Sequence, residues 1–246
     1  MIRLLDAEIF KLRSTRTFYG IVGGSLGLIL VIVILVTALV NFSPTDHPLT
    51  DIMMFAAFMQ PFVLVLGILA ITSEFRHGTI TPSLLVSPDR VRLVLAKLGA
   101  SVLIGLALGL LTSVLIYAIV KGIGGVRDLD TTGSGGKVII GTTVGTGLWA
   151  ALGLGVGAIL RNQVGAIVGS LVYLFVLENL LQIIPGLDDI IAKYGFGGLS
   201  NALFGADPDA SGDMLGQLPA GLLLTAYAAI LVVIGILVVQ RRDVTA

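Results

Sequence analysis

Six stretches, each about as long as a bilayer is thick, carry almost no charge: Phe18 to Val40, Ile52 to Thr72, Leu98 to Val120, Val138 to Leu160, Val164 to Ile184 and Leu218 to Val239. A helix rises about 1.5 Å per residue, so roughly 20 apolar residues cross the hydrocarbon core. Glu178 is the only acidic or basic residue inside these stretches. The chain therefore reads as an all-α membrane protein with a single transmembrane domain of six spans. Its charged fraction, 12%, is about half that of a soluble domain. A soluble core this apolar would leave large exposed patches.

The charges are segregated. If the N-terminus is cytosolic, Arg3, Lys11, Arg13, Arg16, Arg76, Arg90, Arg92, Lys97, Arg161, Arg241 and Arg242 fall inside, and only Lys121, Arg127, Lys137 and Lys193 fall outside. The positive-inside rule then predicts both termini in the cytosol. The first apolar run is longer than the core of a signal peptide, so no cleaved leader is expected. With no cysteine in the chain, disulfides and thiolate metal sites are excluded. His47 and His77 fall on opposite sides of the membrane and cannot share a metal.

Met1 to Thr17 reads as an amphipathic interfacial helix, with Ile2, Leu5, Ile9 and Leu12 at helical spacing and Lys11, Arg13 and Arg16 available to anionic headgroups. It serves either as a topology-setting basic flank or as a surface that also touches a cytosolic partner. The last outer segment, Pro185 to Gln217, is long and half apolar. Its stretches Leu187 to Tyr194 and Leu199 to Phe204 read as short helices in or dipping into the outer interface.

The cytosolic loop from Ser73 to Lys97 carries the densest local signal. Thr81-Pro82 is a helix start, with a capping hydroxyl and a proline suited to the first helical position. Ser87-Pro88-Asp89 is a second start, where Asp89 favours a helix N-terminus. A short surface helix over Pro82 to Val86 is expected between them. A turn needs only a few residues, so a docking element for a cytosolic protein explains this loop better.

The run Thr72-Ser73-Glu74-Phe75-Arg76-His77-Gly78-Thr79-Ile80, then Leu84-Leu85-Val86-Ser87-Pro88-Asp89-Arg90 and Ala96-Lys97, resembles bacterial type-2 ABC transporter permeases. So do Glu178-Asn179-Leu180-Leu181 followed by Pro185, and the ending Arg241-Arg242-Asp243-Val244. The resemblance implies a coupling helix that docks into a separate ATPase, carried here by Glu74, Phe75, Arg76, His77, Gly78, Thr79, Thr81, Pro82, Ser83, Leu84 and Leu85. It also implies two ATPase copies holding ATP and Mg, with no cofactor on this chain. A second permease chain, most simply an identical one, would complete the pathway. No nucleic-acid partner is expected. The location implied is the bacterial cytoplasmic membrane.

These residues hold no phosphate-cradling loop: before Gly136-Lys137 the first glycine is replaced by Thr131, and Val138 stands where Ser or Thr is needed. The chain is thus expected to be a non-catalytic subunit of an ATP-driven exporter. Few charges along the spans favour a hydrophobic or amphiphilic cargo such as an antibiotic, another drug, a peptide or a lipid. The alternatives are an ATP-independent carrier or channel using Glu178, and a membrane scaffold.

Glu178 is expected in the outer half of the fifth span, facing protein or water because a buried acid is costly in lipid. With Asn179 and Gln182 nearby it forms either a closed polar cluster that pins the fifth span or a polar patch on the cargo path. Glycines spaced four apart, such as Gly20 and Gly24, Gly105 and Gly109, Gly141 and Gly145, and Gly153 and Gly157, predict close helix packing. Gln60-Pro61 predicts a kink in the second span.

Overall fold

The structure is a computed structural model that describes residues 2–41, 48–78, 89–126, 135–204 and 215–241. These residues are helical almost throughout, with no strand among them. Helix α1 (Ile2–Arg13) is followed by α2 (Arg16–Leu39), α3 (Pro48–Met53), a 3-10 segment (Met54–Phe58) and α4 (Met59–Arg76). Next come α5 (Arg90–Val126), α6 (Gly135–Leu160), α7 (Gln163–Val172), a π-helical turn (Tyr173–Leu177) and α8 (Glu178–Leu181). Two short helices, α9 (Asp188–Tyr194) and α10 (Phe196–Leu203), precede α11 (Gln217–Arg241). Six helical stretches are long and apolar enough to cross a membrane.

The first helix covers its whole apolar pattern but is shorter than the expected Met1 to Thr17. It stops at Arg13, and α2 restarts with Thr15 as its cap, the Thr15 side chain accepting from the Phe18 N–H. In the second span the helix is interrupted before Pro61 rather than at it. Proline lacks an N–H and crowds the carbonyl four residues back, so the preceding turn tightens into a 3-10 segment and α4 restarts with Pro61 in its first turn.

Helix α6 is the axis of the bundle, with 67% of its spanning window buried against 11% for Gln163–Leu181. It packs against α4, α5 and α11. Glycine makes this possible, because helices in lipid associate by close van der Waals contact. A methyl at Gly153 would collide with the Leu64 carbonyl, and one at Gly67 with the Ala150 carbonyl. Gly105 and Gly109 admit Thr146 in the same way, and Gly155 lies against Leu231. The α2 glycines differ: Gly20, Gly23, Gly24 and Gly27 have nothing within 4 Å of an added Cβ.

Arg76, Arg90, Arg161 and Arg241 lie at one end of the bundle, called the basic end here. At the opposite end α10 dips inward rather than lying flat. Leu199, Leu203 and Phe204 are buried, and Gln217 Nε2 ties the end of α10 to α6 by donating to the carbonyls of Leu203 (2.8 Å) and Lys137 (2.9 Å).

Candidate functional site

Two polar constellations stand out, one at each end of the bundle. At the basic end, Lys97 of α5 is 2% exposed and reaches two carboxylates, Glu8 Oε2 at 2.6 Å and Glu74 Oε1 at 2.8 Å. Its third ammonium contact is the Ala70 carbonyl at 3.3 Å. Lys11 joins from the rim, 2.8 Å from Glu8 and 3.1 Å from Glu74. Two lysines and two glutamates balance in charge, which is what lets Glu8, Glu74 and Lys97 be buried. Burial pulls the Lys11 ammonium down, but the Glu8 hydrogen bond and the charges of Glu74 and Glu8 outweigh it, so its pKa lies above the ordinary lysine value.

This cluster joins α1 to both stems of the 79–88 connection. Glu74 closes α4, and Lys97 lies two turns into α5. The stems are fixed locally as well. His77 caps α4 through its N–H to the Ser73 carbonyl, and Gly78 turns the chain with φ +65°. On the far side Asp89 caps α5, its Oδ1 accepting from the N–H groups of Val91 and Arg92. Basic side chains hold the neighbouring helix end: Arg90 donates to the carbonyls of Val239 and Gln240, and Arg161 to that of Val238 at 2.6 Å. Cations suit a helix C-terminus, where carbonyls lack intrahelical partners. Arg161 takes φ 52° in the tight turn between α6 and α7, and its guanidinium stacks over Phe75 at 5.1 Å.

At the opposite end a cavity of about 410 Å³ opens between α4, α6, the π turn and α10. Its polar lining is Gln60, Glu178, Asn179, Gln182, Ser200 and Asn201. The π turn sets up this wall. A regular helix with Ala166 and Tyr173 inward would next present Leu177. The π turn delays the register by one residue, and Glu178 is buried while Leu177 is exposed. Glu178 Oε1 then accepts the Gly197 N–H at 2.7 Å. That amide lies in the first turn of α10, where N–H groups lack intrahelical acceptors, so a carboxylate from another helix caps it. The close approach needs glycine: a methyl at Gly195 would press on Glu178 Oε1, and one at Gly198 on the Ala192 carbonyl.

The expected Glu178–Asn179–Gln182 cluster is not what forms. Asn179 turns back to its own helix, donating to the carbonyls of Leu174 and Phe175. The carboxylate's partner is instead a backbone amide 19 residues on, a pairing no local spacing announces. All three side chains nevertheless line the cavity. Behind it, Trp149 Nε1 donates to Ser200 Oγ at 3.0 Å, and Phe196 packs against Trp149, Tyr173 and Tyr227.

The expected docking residues divide. Arg76, His77 and Gly78 are exposed, whereas Phe75 is half-buried. Glu74, expected on the docking face, points into the ion cluster and is 6% exposed. Thr79, Thr81, Pro82, Ser83, Leu84 and Leu85, with the expected helix over 82–86, lie outside the described residues. Arg13 and Arg16 are exposed as a headgroup contact requires, while Lys11 is half engaged with Glu8 and Glu74. Glu8 escaped the sequence reading. Its signal is there: it falls at helical spacing between Leu5 and Leu12, on the apolar face of α1. Among the described residues no group of three or more acidic or histidine side chains could hold a metal ion.

No curated protein matches the chain. The family model described as ABC-2 family transporter protein matches residues 4–177, from the interfacial helix through the π turn of the fifth span. A six-span helical bundle with an interfacial helix locked to the basic-end connection is thus the body of a membrane transport component, and the chain belongs to the ABC-2 transporter family.

Proposed function

We propose that this chain is the permease subunit of an ATP-driven exporter of the bacterial cytoplasmic membrane. Its basic end faces the cytosol and docks an ABC ATPase, two copies of which bind ATP and Mg in the assembled transporter. A second permease chain, most simply an identical one, completes the pathway, and the cargo is hydrophobic or amphiphilic. One observation carries this reading: α4 runs unbroken from the cavity to the ion cluster. Gln60 lines the cavity near one end of α4, and Glu74 sits in the cluster at the other. Fourteen residues of helix separate them, about 21 Å. Movement imposed on the 79–88 connection would therefore reach the cavity wall through a rigid rod, with α1 and α5 moving alongside.

Because Glu74 is buried, the docking face within the described residues reduces to Arg76, His77 and Gly78 at the mouth of the connection. The test is co-purification of the chain with a candidate ABC ATPase, followed by cargo-stimulated ATP hydrolysis in vesicles. Arg76→Glu should weaken ATPase association and abolish cargo export while leaving the thermal stability of the permease unchanged. Full association and export in Arg76→Glu and Leu84→Asp would overturn the docking assignment. ATP-independent export by the purified chain would favour a carrier working through Glu178 alone.

A further inference from the structure

Two cavities meet at Trp149 and Leu174, which line both. One is the polar cavity described above. The other, about 300 Å³, is walled by Leu64, Leu152, Val156, Phe196 and Leu231 and is almost wholly apolar. Each is within the span of about 300–1,000 Å³ typical of small-molecule sites.

The polar cavity holds hydrogen-bonding groups in surplus. Gln60 is 4% exposed, yet among the described residues its Nε2 has no hydrogen-bond partner. Glu178 is 3% exposed; Oε1 accepts from Gly197, and among the described residues no donor meets Oε2. A buried amide N–H left unmatched costs free energy, and the carboxylate oxygen lining the cavity is open to a donor. The groups around them do not relieve this: Asn179 is turned to its own backbone, and Ser200 donates to Phe196 while accepting from Trp149. A ligand that donates to Glu178 supplies what the carboxylate oxygen lacks. A cationic donor also neutralises the carboxylate at a depth where a lone charge is expensive.

We propose that the two cavities form one binding site for a cationic amphiphile, whose protonated primary amine donates to Glu178 and whose apolar body passes Trp149 and Leu174 into the second cavity. This narrows the cargo class and rests on reading the chain as a transporter subunit. Glu178 keeps two roles, one oxygen capping α10 and the other receiving the ligand. Substitution by glutamine separates them, because the amide oxygen still accepts the Gly197 N–H while the charge is gone.

Trp149 is the only tryptophan in the chain, so its fluorescence reports directly on the shared wall. The purified full chain in detergent is titrated with 11-bromoundecylamine and, separately, with 11-bromoundecanol, whose bromine quenches indole on contact. The amine should quench saturably at a concentration about tenfold or more below that of the alcohol, as expected for a hydrogen bond to a charged group. In Glu178→Gln the amine should fall to the level of the alcohol with thermal stability unchanged. Equal quenching by amine and alcohol in the wild-type protein overturns the proposal, and this comparison needs no variant to fold. An amine preference that survives Glu178→Gln overturns it as well. Neither failure touches ATPase association, so the transporter reading stands or falls by its own test.

Discussion

Lys97 and Glu8, 89 residues apart, meet at 2.6 Å between Nζ and Oε2 in a site where each residue is at most 3% exposed. This contact fastens the interfacial helix to the third span. Removing one member leaves the buried cluster one charge out of balance. Lys97→Met and Glu8→Leu should each lower stability by about 3–5 kcal/mol. The double variant should lose clearly less than the sum, because no orphan charge of that pair remains. Thermal unfolding in detergent of the two single variants and the double variant measures the coupling; strict additivity would remove the pair from the account of how α1 is held.

Lys11 supplies a pH dependence with a defined sign. Its folded pKa is raised above the ordinary lysine value. A raised pKa means the folded state binds the proton more tightly. The stability it contributes is complete below the unfolded value of about 10.4 and fades as pH rises through the folded value. The stability difference between wild type and Lys11→Met should stay constant from neutral to mildly alkaline pH and shrink only beyond the ordinary lysine range. A difference that already shrinks near neutrality would contradict the shift.

Glu178 holds α10 by one hydrogen bond to the Gly197 N–H. Glu178→Leu leaves that amide without an acceptor and should lower stability by about 1–3 kcal/mol. Glu178→Gln should melt close to wild type. Gly195→Val should behave like the leucine variant, since its side chain would press on Glu178 Oε1. Comparing melting of the three variants decides whether the carboxylate caps α10 or merely lies near it.

The glycines divide into two classes that the same substitution separates. Gly153→Ala places a methyl against the Leu64 backbone, so α4 and α6 must move apart, at about 1–3 kcal/mol. Gly23→Ala meets nothing within 4 Å and gains about 0.8–1.0 kcal/mol of helix propensity. Expression level and melting temperature of the two variants should therefore move in opposite directions. A loss at Gly23 as large as that at Gly153 would mean that another helix packs on that face of α2.

Sequence alone determined the six apolar spans and the presence of an amphipathic first helix, because hydrophobic length and apolar periodicity are local properties that a bilayer reads directly. It also singled out Glu178 as the buried acid and Asp89 as a helix start, since burial cost and capping follow from residue type. It did not reveal which groups meet. Glu74, which resembled a docking residue, turns inward because Lys97 and Lys11 lie there, 23 and 63 positions away in the chain. Glu178 finds Gly197 rather than its neighbours Asn179 and Gln182 because one π turn shifts the register and a glycine-rich bend brings a bare amide within reach. The glycine spacing was visible, but which glycines pack inside the bundle depended on α6 becoming its axis. Only the tertiary structure decided these points, because a buried polar group takes whichever partner the packing of distant helices delivers.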